Sequence, residues 1–316
     1  EAACVTNMQY ENTLFGAAGI VTNDFTKSPY MLRLMQSTYQ ATLGEWSNFT
    51  RVMASEAEQS FIRACDKAYI QVTTGAISYT QAVKEAVEEL AANGVEVVYP
   101  SGHRDTIETA TLRAVRTGVS RAAAQITIAR ADEEGEDLVL VSAHLGARPE
   151  HHVWQGKVYS RSGTDARYPD FVQSTRYGEV DGLCGANCRH HFSVYMEGMA
   201  NPYENYDTEE NRRAYDLQQR QRALERRIRK TKRETMGLKV ALDNAQTPET
   251  AATLAEAYGK KAAQLEKQNA AYKRFCVEND LKELQDRISI ARWDRKQAAA
   301  ARGAARKYNA KLEEDQ

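Results

Sequence analysis

The chain has 316 residues, with 42 Lys plus Arg against 43 Asp plus Glu and a formal net charge of -1, so it lacks the basic excess of a nucleic-acid packager and any such contact has to be local. A mean hydropathy of -0.62 with 8% aromatic residues is lean for one deep core and suits long helices with thin apolar stripes, completed against other subunits. No uncharged apolar run approaches the roughly 20 residues of a membrane-spanning helix, and five scattered cysteines, Cys4, Cys65, Cys184, Cys188 and Cys276, point to a reducing compartment without a disulfide framework.

Pro29 suits the first turn of a helix, and Leu32, Met35, Tyr39, Leu43 and Trp46 recur at three- and four-residue spacing, which predicts an amphipathic helix over 30–53. Ser55 with Glu58 reads as a capping box for a second helix reaching 69–74, stopped by Gly75. Ser78 with Gln81 repeats the signal for a third helix over 81–93, ahead of Gly94. Val95 to Tyr99 is a β-branched run that fits a strand or extended segment. Asp105 and Glu108 then open a longer helix with Leu112, Val115, Val119 and Ile126 on one face, ending in acidic residues before Gly135.

Leu138 to Val141 predicts a compact apolar strand, after which the chain to about Pro202 is rich in Gly, His, Tyr and turn residues. Past Asn211, Leu217, Leu224, Ile228, Leu238 and Leu242 follow a three-four repeat whose other seam positions are Gln221, Thr231 and Thr235, predicting a long helix with a polar seam. Thr247 and Pro248 interrupt it, and Leu254, Tyr258, Leu265, Tyr272 and Phe275 resume the pattern, so an antiparallel helical hairpin is expected. Asp280 with Glu283 is expected to cap one more helix from Leu281 past Trp293 into an Ala, Arg and Lys-rich tail that frays at its end. The fold class is therefore α+β, mostly α: a helical N-terminal region over 1–136, a small His/Cys-rich α+β domain over 137–205, and a long basic helical hairpin with its tail over 206–316.

Five of the six histidines, His144, His151, His152, His190 and His191, fall between Ser142 and Phe192 together with Cys184 and Cys188. His144, Cys184, Cys188 and His190 offer the thiolate and imidazole donors that zinc takes, although three residues rather than two separate the cysteines and no second pair of standard spacing exists. If 187–192 is a strand, alternation puts Cys188 and His190 on one face and Arg189 and His191 on the other. That pairing also suits a thiolate nucleophile, with Asp170 or Asn187 to orient the imidazole. The third reading is a hydrogen-bonded polar core of these histidines with Arg148, Trp154 and Gln155, pinning loops where strands are few. Separately, residues 211–234 hold ten basic side chains against three acidic ones. Arg226, Arg227, Arg229 and Lys230 lie at its centre, a surface for phosphates or for an acidic protein partner.

The segments VSAHLGARPEHHVWQGKVYS, YPDF and YGEVDGLCGANCRHHF resemble the core signature of the tailed-bacteriophage minor capsid protein family, the second minor capsid protein of siphophages. ISYTQAVKEAVEELAANGVEVVYPSGHRD and VRTGVSRAA resemble its upstream helical half, and QRALERRIRKTKRE with YKRFCVEND its downstream helices, so the likeness covers about residues 64–280. More distantly, NCRH is similar to the end of the Mu F-like head morphogenesis domain. Position by position, the signature falls on His144, Arg148, Pro149, His151 or His152, Trp154, Gln155, Gly156, Lys157, Tyr168, Pro169, Asp170, Gly178, Cys188, Arg189 and His190. The family carries an aromatic residue where this chain has Ala186, and only some members have a counterpart of Cys184, which favours a core built on Cys188, Arg189 and His190.

The resemblance implies a structural virion protein at the portal vertex or capsid interior, assembled in the bacterial cytoplasm, with portal, major capsid protein and viral DNA as partners and with ejection alongside the genome as a further option. It implies no established enzymatic activity and no cofactor beyond the zinc reading. The alternatives are a genome-delivered effector enzyme using Cys188 and His190, and a DNA-contacting packaging factor. Residue 1 is Glu rather than Met, so removal of an N-terminal piece by a head-maturation protease is also expected.

Overall fold

The computed structural model describes residues 77–93, 96–99 and 102–314, with scattered helical positions before residue 77. The expected helix over 30–53 lies outside the described residues except at Arg33, Gln36 and Ser37, which are helical. Ser55 is itself helical rather than a cap, and described positions from there to Gln71 are helical too. The described residues divide into two compact units, one drawn from 1–50 and 108–216, the other from 51–107 and 217–316. No helix among them is long and apolar enough to cross a membrane.

In the second unit, α1 (Tyr79–Asn93) begins where the Ser78 hydroxyl accepts the Gln81 N–H at 3.2 Å. The expected extended run is β1 (Glu96–Val98), and it pairs antiparallel with β2 (Arg104–Thr106), Val97 opposite Asp105. This hairpin overturns the reading of Asp105 as a helix cap. Arg104 reaches Glu96 across the strands at 3.1 Å, so cross-strand pairing overrides the weak β preference of Arg-Asp-Thr.

The helix α2 (Ile107–Glu133) runs to Gly135, which turns at φ 70°. Its buried side is mostly Ala110, Ala124, Ile126, Ala129 and Ala131, and Val119, expected on that side, is 44% exposed. A three-stranded antiparallel sheet follows in the order β4-β3-β5, formed by β3 (Leu138–Val141), β4 (Val158–Ser160) and β5 (Phe192–Val194). Val139 lies opposite both Tyr159 and Val194. Two short helices, α3 (Pro149–His152) and α4 (Phe171–Thr175), sit in the connections.

The long helix α5 (Thr208–Asp243) and α6 (Pro248–Glu278) form the antiparallel hairpin, with the Thr247 hydroxyl capping α6 through the Thr250 N–H at 3.2 Å. Going up α5, partners on α6 descend: Gln221 meets Cys276, Glu225 meets Tyr272, and Glu234 meets Lys261. Gln221, Thr231 and Thr235 are buried as the seam pattern requires. Leu238, Leu254 and Tyr258 close one end, and Ala262, Ala263, Ala301 and Ala305 let α6 pack closely on α8 (Arg295–Glu314). These helices thus cover much of their apolar stripes within the chain, where cover by other subunits was expected.

The single helix expected from Leu281 past Trp293 is instead a bend at Asp280 (φ 50°), a short α7 (Gln285–Ile288) and then α8, capped by Asp294. The reason is capture of its backbone by the hairpin. Tyr272 accepts the Leu284 N–H at 3.0 Å, Gln221 donates to Lys282 O at 2.9 Å, and Lys232 donates to Ile288 O at 2.7 Å. Those backbone groups are satisfied without an intrahelical ladder.

Candidate functional site

The sheet's apolar face, Val139, Val141, Tyr159 and Phe192, packs with Ala124, Trp154, Phe171 and Leu183. Antiparallel pairing brings the end of β3 and the start of β5 together, Val141 opposite Phe192, so the loops holding His144 and Cys188 to His191 leave from one edge. Ser142 and His191 tie those loops: the Ser142 N–H donates to His191 O at 2.9 Å, and the His191 N–H to Ser142 Oγ at 3.0 Å.

Three side chains converge there. His151, on α3, and His190 are each 2% exposed, and Cys188 lies half-buried between them. One Nδ1 from each ring faces Cys188 Sγ, at 3.8 Å from His151 and 3.7 Å from His190. The three donor atoms lie within 4.8 Å of one another.

The hydrogen bonds behind the rings fix their tautomers. Asp181 O can only accept, so His151 Nε2, 2.8 Å away, carries the proton. Gln155 Oε1 accepts the His144 backbone N–H at 3.0 Å, which identifies it as the amide oxygen, so His190 Nε2 donates to it at 3.0 Å. The Gln155 amide then donates to His152 Nδ1 at 3.1 Å, and His152 Nε2 lies 3.2 Å from the Thr208 hydroxyl. Both rings facing the sulfur therefore present Nδ1 lone pairs to it.

The coil over 176–188 places both Asp181 O and Cys188. A Cβ at Gly182 would sit 1.8 Å from Arg176 O, and one at Gly185 2.4 Å from Val180 O, so the coil closes only with glycine at both. Asn187 turns the chain at φ 58°, and Arg148 donates to Ala186 O at 2.5 Å. Residues 187–191 are therefore a loop, and the strand expected over 187–192 is confined to Phe192–Val194. Cys188 and His190 nonetheless face inward, while Arg189 and His191 are exposed.

Burial, aided by His144, His151, His191 and Arg189, pushes the His190 imidazole down to about 2. Burial also lowers His151 and raises the Cys188 thiol. Thiol and imidazole are both held neutral, the opposite of a thiolate–imidazolium nucleophile. Asp170 is engaged in capping α4, accepting the Gln173 N–H at 2.6 Å, and Asn187 is exposed, so Gln155 is the group that orients His190.

Of the four sequence-read zinc donors, Cys188 and His190 come together. Cys184 is packed in the apolar core, its thiol pushed up to about 12 by burial and directed to His190 O at 3.8 Å. His144 stacks on His190 with centroids 4.4 Å apart. His151 takes the third place; adjacent histidines at 151 and 152 leave their directions undecided until α3 is oriented. Trp154 lies edge-on to His190, and Lys157 donates to Val153 O at the surface. On α5, Arg226, Arg227 and Lys230 are exposed, whereas Arg229 donates to Arg287 O and Lys232 is buried.

The family model described as phage minor capsid protein 2 matches residues 7–275. The chain is similar to a structural protein of Lactococcus phage LL-H, 26% identical over 175 residues that cover 53% of this chain and 47% of the relative. It is also similar to a structural protein of Lactococcus phage mv4, 39% identical over 67 residues that cover 21% of this chain and 54% of the relative. The chain thus spans about half the length of these curated relatives. No solved structure matches it.

Proposed function

We infer, from the premise that this chain belongs to the phage minor capsid protein 2 family, that it is a structural component of the virion held at the portal vertex or on the capsid interior. The observation carrying this is the reach of the family match, which takes in the sheet, the His/Cys site and nearly all of the α5–α6 hairpin. The stripes of α5 and α6 are largely covered inside the chain, so portal and capsid proteins meet the charged outer faces of these helices. Burial holds the thiol and the imidazoles neutral, outweighing the pull of Arg148 and nearby backbone groups towards a thiolate at Cys188, and this favours the structural reading over a cysteine-based effector.

The test is a particle reconstruction with a small fluorescent-protein fusion after Glu314, alongside quantitative mass spectrometry of purified virions. Extra density at one vertex or lining the shell, at a copy number well below that of the major capsid protein, is expected. Density on the tail, or absence of the chain from purified particles, overturns the placement.

A further inference from the structure

We propose that His151, Cys188 and His190 bind one zinc-class divalent ion, which ties the 176–190 coil to α3 on the rim of the sheet's core. A hydrogen-bonded polar core does not account for the arrangement. Two imidazole lone pairs face one sulfur, and its single S–H proton can serve only one of them. A cation in place of that proton satisfies all three.

The geometry suits such an ion. With Zn–S near 2.3 Å and Zn–N near 2.0–2.1 Å, a tetrahedral site has sulfur-to-nitrogen edges of about 3.5 Å. The sulfur-to-nitrogen separations of 3.8 and 3.7 Å exceed that by a few tenths of an ångström, and the two nitrogens, within 4.8 Å of one another, have to close towards the roughly 3.4 Å of a tetrahedral edge by rotation of the two rings. The outer partners are already those of a metal site. Each ring donates its other N–H to an oxygen, that of the Asp181 carbonyl or the Gln155 amide, which fixes the ring and aims Nδ1.

One thiolate with two imidazoles selects zinc, cobalt or copper over calcium and magnesium, which prefer oxygen. Coordination breaks the Cys188 S–H bond and releases that proton to solvent, while the neutral imidazoles bind as they stand. Three protein donors leave a fourth position for water or for a side chain of another virion protein. Asn187 and Arg189, on either side of half-buried Cys188, are exposed.

The test is anaerobic titration of the purified full chain with Co2+, followed by absorption spectroscopy, then competition with Zn2+. Saturation at one equivalent is expected, with a thiolate-to-cobalt charge-transfer band and intense four-coordinate ligand-field bands that zinc abolishes. Cys188→Ser should lose the charge-transfer band, Gln155→Leu should bind about 10–100-fold more weakly, and Cys184→Ser and Cys276→Ser should keep both. If Cys188→Ser does not fold, the wild-type titration still decides: a fully helical wild-type chain without bands in excess cobalt overturns the proposal. Persistence of the charge-transfer band in Cys188→Ser overturns it equally.

Discussion

Asn211, in the first turns of α5, is 2% exposed and serves three backbone groups of the loop leading into α3. Its Oδ1 accepts the Gly146 and Ala147 N–H groups, each at 2.9 Å, and its Nδ2 donates to Ala147 O at 2.9 Å. Asn211→Ala removes all three bonds from buried backbone groups. Each unsatisfied buried group costs about 1–3 kcal/mol, so for three groups a loss of roughly 3–9 kcal/mol is expected. Against a typical domain stability of about 5–15 kcal/mol, that is a fifth of the total or more. The assay is urea unfolding followed by Trp154 fluorescence in a Trp46→Phe, Trp293→Phe background, which reports on the sheet around Trp154. Asn211→Asp sharpens it: its oxygens still accept the two N–H groups but face Ala147 O without a proton, so its midpoint should lie between those of wild type and Asn211→Ala. A loss below about 1 kcal/mol for Asn211→Ala, the scale of an ordinary exposed substitution, would refute the view that this amide anchors the loop.

Glu225 is buried, and that burial raises its carboxyl above the ordinary range despite Arg287 at 3.9 Å and the Tyr272 hydroxyl at 3.3 Å. Since the folded state disfavours the charged form, stability is lost as pH rises above the unfolded value of about 4.3; Glu225→Gln should therefore melt higher than wild type at pH 7, with the gap closing towards pH 4. A Cβ at Gly237 would lie 2.5 Å from Ala91 Cβ, where α5 crosses α1, so Gly237→Ala should lower the melting temperature even though Ala favours a helix by about 1 kcal/mol; a rise would mean the two helices separate freely. Reversing the exposed Arg226, Arg227 and Lys230 to Glu should leave folding within about 0.5 kcal/mol per site. If this face binds viral DNA, the same variant should hold duplex more weakly, its log-log salt slope reduced by about 0.9 for each phosphate no longer neutralised; unchanged binding removes DNA from the partners of this face.

The hairpin was legible because a single periodicity specifies it. Polar residues at Gln221, Thr231 and Thr235 interrupt the leucine spacing without breaking it, and each is buried where the repeat puts it. Local signals misled where distant groups take over the backbone. Asp280 and Glu283 read as a helix start, but Tyr272 and Gln221, contributed by α6 and α5, claim the backbone at 282–284 and hold it irregular. The strand Arg104–Thr106 escaped notice for a related reason, since its pairing is determined by β1 and not by its own composition.

The site shows the same division more sharply. That histidines and cysteines gather over 142–192 is a fact of composition, and composition suffices to single out the region. Which of them share a point in space depends on features without periodicity: two glycines that admit Arg176 O and Val180 O, a left-handed Asn187, and an amide whose orientation is dictated by one backbone N–H. Strand alternation put Cys188 and His190 on a common face, and they do share a direction, yet the loop's turn is what produces it. His151 rather than Cys184 completes the group because α3 turns one of two adjacent histidines inward, whereas the thiol at 184 lies among Val139, Leu183 and Phe192, where it behaves as a small apolar side chain. The donor set is thus a property of two connections, β3 to β4 and β4 to β5, meeting at one sheet edge, and altering the coil at Gly182 or Gly185 should dismantle it without touching a donor.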